Sequence, residues 1–370
     1  MLESIPLNLP ELSSDYEDVF SQFENLMREF SADLGSISAM AHMDPPTPKI
    51  AAQIVGLNAA YNQNLLHPDL SPLATKIEER AIAWLLPFFK MNDGHFCAGS
   101  TIANLTAIWC AREHGARQVI ASQDAHISVA KAAHILGIEF ISVPVDSDGR
   151  MKNDDLGDLK DACLVLTAGT TGRGVVDSLA PTNAIWTHID AAWAGPLRLT
   201  KHAHILDGIE TADSVAISAH KWFYQPKDSA LVLFADRKAR HKVSYGGSYL
   251  TTPNVGVQGS RGAAAIPFMA TLMLWGRTGL AARIEKNMSD ALKLAEFLHL
   301  HQAIELKQMP ETAVVNWRPK NKSIEQVLAA LGETSSRTQI DKEVWVRQVA
   351  ANPSADVDLI ISKIQNSVEN

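Results

Sequence analysis

The chain has 370 residues, 46% hydrophobic and 20% charged, with ordinary numbers of Gly and Pro; this is a globular composition, long enough for a large core plus a smaller domain, and it excludes a mainly disordered chain. A net charge of −8 without clustered Lys and Arg argues against nucleic acid or an anionic membrane surface as partner, which leaves a small molecule as the expected ligand. The cysteines Cys97, Cys110 and Cys163 lack CxxC spacing, so neither a disulfide framework nor a metal site is expected.

The N-terminus, MLESIPLNLPELSSDYEDVF, carries acids where a leader needs a basic and then an apolar run, and no stretch approaches about 20 consecutive apolar residues. A cytoplasmic protein with no membrane contact is expected. Residues 1–60 read as a helical, Pro-punctuated segment that packs on a partner chain. Its "AMAHMDPPTPKI" can only be loop at its centre, and 72–89 reads as a helix.

From about 95 to 240, β-type runs at 118–122, 140–145, 163–168, 184–189, 214–218 and 231–235 alternate with helical patterns such as 104–114 and 128–136. Gly115 and Gly137 follow those two helices, where left-handed caps are usual. The order predicts βαβ units and a doubly wound, mainly parallel α/β sheet over 61–275. A long helical pattern from 276 to 301, then strand–helix–strand–helix material, predicts a small C-terminal α/β lobe over 276–370. Ligands of such sheets sit at the carboxyl ends of the strands, so the residues ending each run come first.

Gly99, Ser100 and Thr101 lead straight into a helix, where free N–H groups and the helix dipole suit a phosphate. His126 opens the next helical pattern. The loop in "LTAGTTGRGVVDSL" resembles a phosphate cradle but lacks the Walker lysine and does not fit GxGxxG, which argues against nucleotide binding. Asp190 ends a strand beside Ala191 and Ala192, small neighbours that leave room for something flat. Lys221 follows Ser218 and precedes Trp222, Phe223 and Tyr224; apolar surroundings lower a lysine's pKa, and Schiff-base chemistry needs the neutral amine. A phosphate anchor, an imidazole to cover a flat ring, a carboxylate for a ring nitrogen and an amine for an aldehyde together describe pyridoxal 5′-phosphate.

These segments resemble the group II pyridoxal-phosphate-dependent amino-acid decarboxylases, which include glutamate, aromatic-amino-acid and diaminobutyrate decarboxylases. "SPLATKIEERAIAWL" is similar to the family's helix before the core, "GSTIANLTA" to its phosphate segment and "DAHISVAKAAHILGI" to the segment of its stacking histidine. "GTTGRGVVD", "HIDAAWAG" and "SAHKWF" are similar to its Gly-Thr-Thr loop, pyridine-binding aspartate and Schiff-base lysine. The resemblance implies a fold-type I transferase fold and a homodimer with an active site shared between chains. It implies that Lys221 carries the cofactor, Asp190 pairs with the pyridine nitrogen and His126 stacks on the ring. Gly99, Ser100, Thr101, Ser218 and His220 would serve the phosphate end, while Thr170 and Ala192 would line the ring.

The resemblance further implies a substrate-carboxylate arginine, matched by Arg347 in "EVWVRQVAANP", and a proton-donating tyrosine on a mobile loop. Of Tyr245 and Tyr249 in "KVSYGGSYLTTPNVG", Tyr249 matches better, although the loop is shorter than usual and Ile102 replaces the family's glutamate. His42 and Asn64, with Asp44, are expected to complete the neighbouring chain's pocket. The expected activity is decarboxylation of an L-amino acid with a polar or charged side chain. Aldehyde formation, carbon–carbon lysis, transamination and cofactor binding without turnover stay open at this point.

Overall fold

The computed structural model describes residues 5–369. The chain opens with helices α1 (Tyr16–Phe30), α2 (Lys49–Tyr61) and α3 (Pro72–Phe89), then β1 (Asp93–Cys97), α4 (Ser100–Glu113), β2 (Gln118–Ser122), α5 (Ile127–Leu136) and β3 (Glu139–Val143). Strands β4 (Ala162–Thr167), β5 (Trp186–Asp190), β6 (Ser214–Ser218) and β7 (Ala230–Phe234) follow, then the short hairpin β8 (Ser244–Tyr245) and β9 (Asn254–Val255). The C-terminal part holds α6 (Ala265–Leu300), β10 (Ile304–Leu306), β11 (Val314–Pro319), α7 (Ile324–Leu331), β12 (Ser336–Ile340), β13 (Glu343–Val349) and α8 (Val357–Glu369).

Seven strands form one sheet in the order β1-β7-β6-β5-β4-β2-β3, and β7 alone runs against the rest. This is the expected α/β, mainly parallel fold. The strands are short apolar runs because both faces are covered, and the side-chain period of two divides each run between two layers. Ile120, Leu164, Leu166, Val215 and Ile217 pack toward the face that holds α3 and α6. Val119, Ala121, Cys163, Val165 and Ala216 pack toward α4 and α5. A second, antiparallel sheet, β10-β11-β13-β12, forms the small lobe with α7 and α8.

Several bounds differ from the sequence reading by one or two residues, and β1 was not anticipated. "DGHFC" has no alternation to announce it, yet it pairs along its whole length with β7. The expected caps form: Gly115 has φ 108° and Gly137 φ 67°, the latter ending α5. α6 bends at Gly276, φ 59°. Among the described residues no helix is long and apolar enough to cross a membrane.

Candidate active site

Four parallel strands release their chains at the same edge of the large sheet, and the candidate residues stand where they do so. Gly99 follows β1, His126 follows β2, Asp190 ends β5 and Ser218 ends β6. Gly99 caps α4 at φ 90°, a backbone conformation that favours glycine, and no side chain caps the helix. The first N–H groups of α4, at Ser100 and Thr101, are thus left to an anion. Beside them the Ser218 hydroxyl and His220 Nε2 are 3.0 Å apart. Burial, then the Lys227 and Lys221 cations, push the His220 imidazole down to about 4, so it is neutral at pH 7.

Lys221 owes its position to the turn after β6. Tyr224 takes a left-handed φ of 60°, and its hydroxyl accepts from Asn287 Nδ2 at 3.0 Å. Trp222, Phe223 and Tyr224 are all buried; Trp222 stacks on Trp193 at 4.0 Å and Phe223 meets Phe268 edge-on at 5.1 Å. These three rings anchor the turn in the core and leave the lysine at the strand-end cleft. Burial lowers the Lys221 pKa, with Arg347 and Lys227 adding to the shift and Asp190 and Asp44 opposing it. His126 is lowered too, by burial first, against the attraction of Asp190. Lys221, Asp190 and His126 therefore lie within electrostatic reach of one another although their elements are far apart in sequence.

Asp190 is buried, and its Oδ1 accepts the Ala192 N–H at 3.1 Å. Its Oδ2 accepts from Asn104 Nδ2 at 2.8 Å. Asn104 stands on α4 inside the quoted phosphate segment, but nothing in the sequence distinguishes it from a helix-core residue. Ala192 is buried, a small wall beside the carboxylate. Thr170 is buried as well, and its hydroxyl accepts from Val175 N at 3.2 Å, closing the Gly-Thr-Thr loop. Arg347, on β13 of the small lobe, is 9% exposed; its Nη1 reaches Ser336 only at 3.5 Å and its Nε has no hydrogen-bond partner. A buried guanidinium with an unused donor is suited to an incoming carboxylate. Asp44, ion-paired with Lys227, acts electrostatically on Arg347, Lys221 and His220, so the "HMDPPTP" loop adjoins the site of its own chain.

Other expected residues stand apart. Asn64 uses its amide within the chain: Oδ1 accepts from Leu66 N at 3.0 Å and Arg261 N at 3.3 Å, and Nδ2 donates to Ser260 at 3.1 Å. His42 is exposed. Tyr249 is 71% exposed, between β8 and β9. That hairpin leans on α4 through Tyr245, whose ring stacks on Trp109 at 5.6 Å. Trp109 is about 13 Å along the helix from Ser100 at 1.5 Å per residue. A cavity of about 950 Å³ is lined by Glu78, His95, Arg240 and Arg261 among others and omits Lys221; the bidentate Glu78–Arg261 pair, both contacts 2.6 Å, is part of that lining.

The residues present fit pyridoxal phosphate. An uncapped helix start with Gly99, a serine hydroxyl and a neutral imidazole could hold the phosphate. Asp190 could hold the ring nitrogen, Ala192 and His126 could flank the ring, and Lys221 could reach the aldehyde. Among the described residues no group of three His, Cys, Asp or Glu side chains is arranged to hold a metal ion.

The model of the pyridoxal-dependent decarboxylase conserved domain matches residues 1–320. The L-2,4-diaminobutyrate decarboxylase of Rhizobium meliloti is 30% identical over 350 residues, covering 84% of this chain and 70% of that protein. The aspartate 1-decarboxylase of Aliivibrio fischeri is 28% identical over 357 residues, covering 79% of this chain and 65% of the relative. Among solved structures, the glutamate decarboxylase domain of diaminobutyrate-pyruvate transaminase and L-2,4-diaminobutyrate decarboxylase from Vibrio parahaemolyticus superposes with a TM-score of 0.86 at 21% identity, covering 98% of this chain and 87% of that one.

Proposed function

Because the chain belongs to the pyridoxal-dependent decarboxylase family, with pyridoxal 5′-phosphate as its cofactor, we propose that it is a carboxy-lyase releasing carbon dioxide from an L-amino acid with a polar or charged side chain. The observation that carries this reading is the convergence of Lys221, Asp190 and His126 at one strand edge, with the buried, half-unpaired Arg347 opposite. Bound there, the cofactor supplies a conjugated ring that accepts the electron pair left by departing carbon dioxide.

The chain's own residues do the rest. Burial favours the neutral, nucleophilic amine of Lys221. Asp190, fixed by two N–H donors, places a negative charge where a ring nitrogen needs it. Arg347 binds the substrate carboxylate through its free Nε edge. The charges of Asp44, Lys227 and Arg347 around Lys221 favour a polar or charged side chain, in keeping with the diaminobutyrate and aspartate enzymes among the relatives.

We assign the proton for the α-carbon to Tyr249 Oη of a partner chain, because in its own chain this tyrosine sits on an outlying hairpin. A dimer is also favoured by α1. This helix buries no residue, yet exposes Val19, Phe20, Phe23, Met27 and Phe30 at helical spacing, an apolar stripe that a second copy would cover. In that dimer α1 packs on the partner, His42 completes its pocket with Asn64 supporting the adjoining loop, and residues 61–275 and 276–369 form the large and small domains. Three buried cysteines without a disulfide suit a cytoplasmic setting.

Purified protein supplied with pyridoxal phosphate and a panel of L-amino acids should release carbon dioxide and the matching amine, fastest with polar or charged substrates. Aldehyde or keto acid formed without carbon dioxide would overturn the assignment.

A further inference from the structure

Behind Asp190, beyond its Asn104 donor, lies a row of buried polar groups that no step above uses. Asn104 Nδ2 donates to Asp190 Oδ2 at 2.8 Å and to Ser128 Oγ at 2.9 Å. Its Oδ1 is 3.1 Å from His188 Nε2. His188 Nδ1 is 2.9 Å from Ser214 Oγ, and Trp186 Nε1 donates to that same Oγ at 2.9 Å. On the other side, Ser128 Oγ is 2.8 Å from His126 Nδ1. Asn104, Ser128, His188, Ser214 and Trp186 are all at most 4% exposed.

Donor and acceptor roles determine the protons that face Asn104. A carboxylate only accepts, so the amide nitrogen of Asn104 must face Asp190, and its second N–H then goes to Ser128. The Asn104 carbonyl oxygen therefore faces His188, which must donate from Nε2. With Nε2 protonated in a neutral ring, His188 Nδ1 accepts from the Ser214 hydroxyl at 2.9 Å, the longer 3.2 Å approach to the Ser214 carbonyl oxygen carrying no proton, and the Ser214 Oγ is itself the acceptor for Trp186. Ser128, accepting from Asn104, turns its hydroxyl proton to His126 Nδ1, which also accepts the Ser128 N–H at 3.2 Å. His126 is left with its proton on Nε2.

We infer that Asn104, oriented by His188 and continued by Ser128, is a positioning residue that holds the Asp190 carboxylate and the His126 imidazole in one hydrogen-bonded frame, fixing both the carboxylate position and the His126 tautomer. The frame ties the two groups expected to meet the cofactor at its ring nitrogen and at its face. Their spacing is therefore set by α4 and β5 before any ligand arrives.

The inference rests on the cofactor assignment for its purpose but not for its first test. In the protein without cofactor, ¹⁵N-histidine NMR should find His188 and His126 neutral and protonated at Nε2. Ser128→Ala, which removes a buried hydroxyl but keeps the residue-128 N–H on His126 Nδ1, should leave His188 unchanged, keep the His126 proton on Nε2 and shift the His126 Nδ1 resonance for the lost hydroxyl donor. The second test is cofactor affinity. His188→Gln keeps an N–H donor for Asn104 and should bind pyridoxal phosphate within about twofold of wild type, whereas His188→Leu should bind at least about tenfold more weakly. A role confined to filling the core would make the two substitutions equivalent, and that result would overturn the inference. So would a proton on His188 Nδ1, or an unchanged His126 Nδ1 resonance in Ser128→Ala. Absence of any cofactor binding by the wild type, with the tautomers as stated, would instead count against the functional reading.

Discussion

In the wall behind Asp190 each link from Trp186 Nε1 through His188, Asn104 and Ser128 to His126 measures 2.8 to 3.1 Å, whereas α1 buries no residue and Tyr249 stands 71% exposed on its hairpin. The first region is complete within one chain; the second leaves its apolar and phenolic groups uncovered in that chain. A buried polar group must find its partners inside the fold, so the strand-end site is organised by the sheet and by α4 and α5. Apolar groups in water carry no such directional demand.

The comparison breaks most severely at Lys221. Lys221→Ala should abolish carbon dioxide release and leave nothing for borohydride to trap, as judged by mass spectrometry of the cofactor-treated protein; a trapped adduct elsewhere would remove the lysine from its role. A pair of substitutions on α1, Phe20→Glu with Phe23→Glu, should turn a dimer into monomers by sedimentation and lower activity at least tenfold, while the thermal transition of the sheet domain changes little. A dimer that survives both charges would assign the apolar stripe to something else.

Arg347→Lys keeps the charge but loses the planar fork. An increase in substrate KM of about tenfold or more, corresponding to about 1.4 kcal/mol, is expected, with cofactor affinity unchanged; an unaltered KM would place the carboxylate elsewhere. His188 sharpens the contrast through pH. Burial pushes its imidazole down to about 4, against the pull of Asp190, while the unfolded chain protonates near 6.5. The folded state therefore loses stability as pH falls from about 6.5 towards 4, by up to about 3 kcal/mol from this residue. His188→Gln should flatten that part of the stability–pH curve in denaturant titrations; an unchanged slope would mean that the ring is protonated in the native state. Tyr249→Phe is the mildest change: substrate loss should continue, with part of the product shifted from amine to aldehyde. Identical products and rate would free Tyr249 from any part in the chemistry.

Much of the large domain was legible from the chain. Short β-branched runs, Gly115 and Gly137 after helical patterns, and acids or amines at strand ends are local signals, because propensity, caps and strand length act over a few residues. Lys221 beside three aromatic residues and Asp190 beside two alanines stood out for the same reason. β1 gave no such signal, since its pairing partner β7 lies 133 to 141 residues further on in the ladder from Cys97↔Ala230 to Asp93↔Phe234.

Sequence by itself therefore determined the layered α/β architecture and the cofactor class, and singled out Lys221, Asp190 and His126 as candidates, through periodicity and motifs that survive without coordinates. Only the tertiary structure decided that Asn104 faces Asp190 rather than the helix core, that His188 stands behind it neutral, and that Asp44 adjoins the lysine of its own chain. It likewise separated Tyr249 from that lysine. The reason is physical: a hydrogen bond is a matter of an ångström and a direction between groups brought together by the fold, here 84 residues apart for His188 and Asn104 and 86 for Asp190 and Asn104, and no local pattern in the chain encodes which buried donor will meet which acceptor.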